Sequence, residues 1–284
     1  MYRTSWSEVF CVEHLLFEVK EGVATIVLNR PEARNAFSIP MIEAWVKALE
    51  ECRDREDIRV VVLTANGKAF CAGGDVKAMR EGRGFLEPGE SEQDTHSTGL
   101  ARKNSLWKLI QRVPLTLEQV DKPVIAAVNG DAIGAGCDMA LMCDMRVAAD
   151  TARFAEAYVK LGIVPGDGGA YFLPRLVGMP KALELLLTGD LIDAEEALRI
   201  GLVNRVVPAE QLMEATYKLA RKIAAQPPVA VQLIKRAAYQ SATADLRTAL
   251  DLVSSHMAIV TETEDYQEAM QAMFEKRQGV FKGK

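Results

Sequence analysis

The stretch "NGDAIGAGCDMALMCD", Asn129–Asp144, sets bare backbone beside one carboxylate in an otherwise apolar segment. The run before it, "KPVIAAV", is continuous and apolar, the form of a buried strand. Gly134, Ala135 and Gly136 follow, and apolar residues then return at helical spacing from Cys137 onward. Small residues let other atoms approach the main chain closely. A helix that starts just after such a turn presents unpaired N–H groups and the positive end of its dipole. "GKAFCAGGDV", residues 67–76, has the same order of strand, small residues and acid. Two such turns can aim one N–H each at a single oxygen, an oxyanion hole that stabilises charge developing during a reaction.

Around these turns, "GVATIVLNRP" and "RVVVLTANG" read as strands closed by Pro and Asn-Gly. "SIPMIEAWVKALEECRD" carries apolar residues at helical spacing behind a Ser-x-Pro start, the pattern of a helix. "MRVAAD" and "GLVNRVVP" are further strands. Strand, turn and helix alternate over the first two thirds, which predicts an α/β fold. Residues 81–104 are polar and rich in Gly, Glu and Ser, and read as a long loop near a site entrance. From residue 208 the pattern is helical, interrupted at Pro227-Pro228. The division expected is a core over 1–210 and a helical oligomerisation region over 211–284.

Composition narrows the function. The chain has 284 residues with a net charge of −5, so it offers no basic field for nucleic acid or an acidic membrane surface. The N-terminus lacks the pattern of a signal peptide, and no apolar run is long enough to span a bilayer. Five cysteines, at 11, 52, 71, 137 and 143, form no CxxC pair, which fits reduced thiols in a cytoplasmic protein. The three histidines are scattered, so no metal site is expected. "PGDGG" lacks the Gly-Lys-Ser/Thr of a nucleotide loop.

Five segments, "RPEARNAF", "GKAFCAGGDVKAM", "KPVIAAVNGDAIGAGCDMALMCDMRVAAD", "LGIVPGDGGAYFLPRLVG" and "LTGDLIDAEEALRIGLVNRVVP", together resemble the enoyl-CoA hydratase/isomerase (crotonase) family. The resemblance runs in order over nearly the whole chain. It implies a spiral of ββα units with a C-terminal helical region, assembled as homotrimers or homohexamers. The implied substrate is an acyl-CoA thioester whose oxygen sits between the N–H groups of Ala72 and Ala135. No cofactor beyond the CoA carried by the substrate is implied. The implied reaction is hydration of a 2-enoyl-CoA to a 3-hydroxyacyl-CoA, or the reverse. Isomerisation or another enolate reaction is the alternative, as is a catalytically weak acyl-CoA-binding relative.

The acids depart from the family pattern. Its hydratases use two glutamates, which fall here at Asp138 and Tyr158. The first keeps its acid type on a shorter arm and the second is lost. Glu156, two residues before Tyr158 and on the same face of an extended chain, and Asp167, in the "PGDGG" turn, are the candidates to supplement Asp138. Tyr158 itself can donate a hydrogen bond, although an ordinary phenol pKa of about 10 makes it a poor base. Around the substrate, the resemblance suggests Arg34 and Ala36 along the nucleotide arm, Gly73, Gly74, Asp75 and Gly134 at the turns, and Phe281 and Lys282 in a late contact to CoA. Asp75 is expected to fix its turn or cap the next helix, and Asp144 beside Arg146 to be structural.

Overall fold

The computed structural model describes residues 10–12, 14–81 and 99–284. In chain order the strands are β1 Phe10–Val12, β2 Leu15–Lys20, β3 Val23–Leu28, β4 Val60–Ala65, β5 Ala69–Cys71, β6 Val124–Val128, β7 Asp131–Ile133, β8 Met145–Ala149, β9 Arg153–Ala155, β10 Ile192–Asp193 and β11 Arg205–Val207. The helices are α1 Ile39–Asp54, α2 Val76–Arg80, α3 Gly99–Lys108, α4 Arg112–Glu118, α5 Ala135–Leu141 and α6 Gly169–Val177. They continue with α7 Met179–Thr188, α8 Ala194–Arg199, α9 Leu212–Ala224, α10 Pro228–Ser241, α11 Leu246–Thr261 and α12 Glu264–Glu275.

Two sheets share the strands. The larger has the order β1-β2-β3-β4-β6-β8-β11 and the smaller β10-β9-β7-β5. From β3 to β11 the larger sheet is parallel, and β5, β7 and β9 are parallel in the smaller one. The chain therefore repeats one step. A long strand enters the large sheet (β4, β6, β8), a short strand enters the small sheet (β5, β7, β9), and a helical turn follows. This is the ββα spiral expected from the resemblance.

Physical chemistry fixes the order of these pieces. Every residue of β4 and β6 is buried, as strands covered on both faces require. Helix α1 starts where Ser38 accepts a hydrogen bond from the Met41 amide, a side-chain cap for an unpaired helical N–H. Its inner face places Met41, Trp45 and Leu49 in the core. Helix α9 lies against β4, β6 and β8, with Thr216 and Ala220 fully buried. The helix directly after residue 210 thus packs on the sheet, and the helices with few buried residues begin at Pro228. Of the segment read as a loop, residues 82–98 lie outside the described residues. Residues 99–104 are the first turns of α3, where Leu100, Ala101, Arg102 and Lys103 are good helix formers that outweigh the polar composition.

Two of the ββα steps touch through main chain alone. A Cβ on Gly136 would lie 2.1 Å from the Cys71 carbonyl oxygen, and one on Gly130 would lie 2.0 Å from that of Lys68. At the other end of α5, the buried Arg146 guanidinium donates to the carbonyls of Ala140, Leu141 and Cys143, and also to Leu202. Asp144 accepts from the Val124 amide and Tyr239 and pairs with Lys235, so it is structural as expected. Gly136→Ala should therefore lower unfolding free energy by about 2 kcal/mol or more in a denaturant titration, since neither backbone can move aside independently. An unchanged midpoint would show that α5 and β5 are free to separate.

Candidate active site

The turn after β5 and the start of α5 face each other. A Cβ on Gly73 would stand 2.6 Å from the Ile133 carbonyl oxygen and 3.2 Å from the Ala135 nitrogen. Gly73 (φ 85°) and Gly134 (φ 54°) both hold left-handed backbone that glycine adopts without strain. Asp75 accepts from the Ala78 amide and pairs with Arg30 at 2.9 Å, so it caps α2 and ties down the turn.

The hydrogen bonds decide which amides are open. The Ala72 N–H donates to the Arg34 carbonyl at 3.0 Å. Arg34 and Asn35 are left-handed (φ 52° and 55°). The fully buried Asn35 side chain holds this bend by donating to the Asn66 and Ala69 carbonyls and accepting from the Arg30 amide. The expectation that Ala72 supplies an oxyanion donor is therefore corrected. Its amide is committed, that of Gly73 lies against the Cys71 sulfur, and the next amide along the turn, that of Gly74, has no acceptor among the described residues. At the opposite turn, Gly134 N–H donates to the Ala155 carbonyl, and the Ala135 N–H has no acceptor among the described residues.

Beside Ala135 lies a buried acid cluster. Asp138, Glu156, Tyr158 and Asp167 are at most 8% exposed. They come from the first turn of α5, the end of β9, a single 3-10 turn over 157–161, and the loop before α6. The Tyr158 hydroxyl lies 2.7 Å from Asp138 Oδ2 and 2.9 Å from Asp167 Oδ2. Asp138 Oδ1, Asp167 Oδ1 and both Glu156 oxygens are buried with no donor among the described residues. Sequence reasoning quoted "PGDGG" but missed Gly169. A Cβ there would lie 2.3 Å from Asp138 Oδ1 and 2.7 Å from Glu156 Oε2. The doubled glycine was the only signal. Glu156 also lines a cavity of about 10 Å³ with Cys137, Phe154, Leu173 and Leu185.

Burial without a neighbouring cation dominates the electrostatics. Loss of water raises the Asp138 pKa, against the Tyr158 hydroxyl, Glu156 and nearby amides that pull it down. Loss of water and then the Asp138 charge push Glu156 up to about 10 and Asp167 up to about 7. The same causes raise the Tyr158 phenol, so it stays protonated. Cys71 and Cys137 are buried and also shifted up, and remain thiols.

The other expected contact residues are placed as follows. Ala36 is buried and its carbonyl accepts from Arg30. Arg34 is exposed beside the turn. The Phe281 carbonyl accepts from Arg59, and Asp265 accepts from the Lys282 and Gly283 amides. Arg59 precedes β4, whereas the two glycine turns follow β5 and β7. Within one chain, the tail around Phe281 and Lys282 is therefore pinned beside the start of β4.

A family model described as Enoyl-CoA hydratase/isomerase matches residues 18–284. The chain is 39% identical over 267 residues to a short-chain-enoyl-CoA hydratase of Clostridium acetobutylicum, a match covering 94% of this chain and 96% of the relative. It is 37% identical over 270 residues to a crotonyl-CoA hydratase of Syntrophomonas wolfei, covering 95% and 98%. The crystal structure of an enoyl-CoA hydratase from Bacillus anthracis superposes with a TM-score of 0.84 at 37% identity, covering 95% of this chain and 100% of that one. The ββα spiral is the crotonase fold, and the chain belongs to the enoyl-CoA hydratase/isomerase family.

The raised acids set a pH dependence of stability. An acid whose pKa is higher in the native than in the unfolded state binds more protons when folded, so stability falls as pH rises between the two values. For Asp167 that window runs from about 4 to about 7, and for Glu156 it extends to about 10. Denaturation midpoints should fall from about pH 5 to about pH 9. Asp167→Asn should flatten the lower part of that fall, and Glu156→Gln should flatten it throughout, most plainly above about pH 7. Identical pH slopes in all three proteins would mean that these carboxyls are ionised in the fold.

Proposed function

We propose that this chain is an enoyl-CoA hydratase, adding water reversibly to a 2-enoyl-CoA to form a 3-hydroxyacyl-CoA. The observation that carries the reading is the pair of facing turns, with the Gly74 and Ala135 amides open and Asp138 three residues beyond Ala135. The thioester oxygen accepts from the two amides, which stabilise the enolate charge in a water-poor site. Asp138 exchanges the proton of the α-carbon while oxygen is added or lost at the β-carbon. The family and the two hydratase relatives support the reaction class. The amides do the polarising, so the substrate's own CoA is the only cofactor in this reading.

Double-bond isomerisation is the second reading. Asp138 and Asp167 meet at one phenol hydroxyl, and a linked unit of this kind can carry a proton from one carbon to another.

Self-association as a homotrimer or homohexamer is part of the proposal. Ile234, Leu246, Leu250, Met257, Met273 and Phe274 are exposed on the C-terminal helices, an apolar surface that suits a subunit contact. A cytoplasmic setting is supported by the four buried free cysteines among the described residues. No helix among the described residues is long and apolar enough to cross a membrane.

Incubation with a short 2-enoyl-CoA in deuterated water should yield 3-hydroxyacyl-CoA with deuterium at the α-carbon, read by mass spectrometry. Asp138→Asn should slow this by on the order of 10²-fold or more. Deuterium entry without added oxygen would favour the isomerase, and neither product would remove the hydratase reading for that substrate.

A further inference from the structure

Glu156, Asp138, Tyr158 and Asp167 form an unbroken line whose protons can be counted. Tyr158 lies 2.7 Å and 2.9 Å from the two aspartates. A phenol has one proton and donates it to one of them. At these separations the other link needs a carboxylic acid proton donated to the phenol oxygen. Asp138 and Glu156 are likewise hydrogen-bond neighbours beside Gly169, where the Gly169 and Asp167 amides also approach Asp138 and the Cys137 thiol approaches Glu156. Two carboxyls in such contact share a proton. Three links need three protons, one from the phenol and two from the three carboxyls, and one negative charge is left. The other titratable groups facing the line are Cys71 of β5 and Cys137 of α5, both thiols. No cation is among the groups that perturb the three carboxyls.

We propose that Asp167 takes the place of the missing second acid, and that Tyr158 relays a proton from Asp167 back to Asp138 after each turnover. This rests on the hydratase reading and assigns the residues that complete it. In the hydration direction the line starts with Asp138 protonated and Asp167 charged. Asp167 Oδ1, which has no donor, accepts a proton from water as the water oxygen bonds to the β-carbon. Asp138 gives its proton to the α-carbon. One O–H bond of water and the O–H bond of Asp138 break, and a C–O, a C–H and an Asp167 O–H bond form. The line then has its charge on Asp138. It resets when the Asp167 carboxyl turns so that its proton faces Tyr158 and passes it to Tyr158 Oη, while the phenol proton passes to Asp138 Oδ2. Tyr158 is neutral before and after, and the line carries one negative charge throughout. Glu156 is a positioning residue, whose shared proton holds Asp138. The upward shift of Asp167 to about 7 leaves it able to be either acid or base near neutral pH.

Rapid-mixing kinetics on the intact protein, with a short 2-enoyl-CoA, separate the relay from a packing role. Tyr158→Phe keeps the ring and removes the relay. It should form one product per subunit in a burst near the wild-type rate, followed by steady turnover on the order of 10²-fold slower. Asp167→Asn should lose the burst as well. Loss of both phases in Tyr158→Phe, or wild-type turnover by it, would overturn the relay. An infrared measurement needs no turnover and so stands apart from the hydratase reading. Substrate-free wild type at neutral pH should show two protonated carboxyls, and Glu156→Gln one. Three ionised carboxyls would refute the line even if hydration is observed.

Discussion

Main chain against main chain, with no side chain between, is the constraint on which the site depends. Gly136 presses on the Cys71 carbonyl and Gly73 on the Ile133 carbonyl and the Ala135 nitrogen. Any Cβ at Gly73 or Gly136 would force the turns apart and separate the open amides of Gly74 and Ala135. The parallel parts of the two sheets set this spacing, because β5 and β7 are neighbours in the small sheet while β4 and β6 are neighbours in the large one. Each ββα step therefore delivers its turn to the same place at the same height.

The neighbouring acids follow a second rule, that buried carboxyls without cations keep protons. Helix α5 brings Asp138 to the foot of one turn, and the segments after β9 and before α6 bring Glu156, Tyr158 and Asp167 around it. Gly169 completes the cluster by placing no side chain where two carboxyls meet. The same desolvation that makes the cluster costly to ionise holds its protons near the chemistry, so destabilisation and reactivity have one origin.

Several parts of this were legible in the sequence. Continuous apolar runs announce β4 and β6, because strands covered on both faces have no polar side. Ser38 and the periodic residues behind it announce α1. The small residues of both turns and the acid at 138 mark the site. Less legible was which amide is open. Ala72 and Gly74 are equally plausible from "CAGGD". The left-handed bend at Arg34 and Asn35, more than thirty residues away, decides between them by occupying the Ala72 amide. The polar composition around Arg102 to Asn104 suggested a loop, and helix-forming side chains prevailed.

The sequence by itself determined the repeating strand, turn and helix grammar, the small residues at two turns, and the exchange of a second carboxylate for Tyr158. These are local properties, written in neighbours along the chain. Tertiary structure alone decided that Tyr158 bridges Asp138 and Asp167, that Glu156 faces inward at 2% exposure, and that the tail around Phe281 is held by Arg59 and Asp265. Those facts depend on distances between segments that the sheets and helices bring together. A hydrogen bond of 2.7 Å between residues twenty positions apart leaves no periodicity in the sequence to be read.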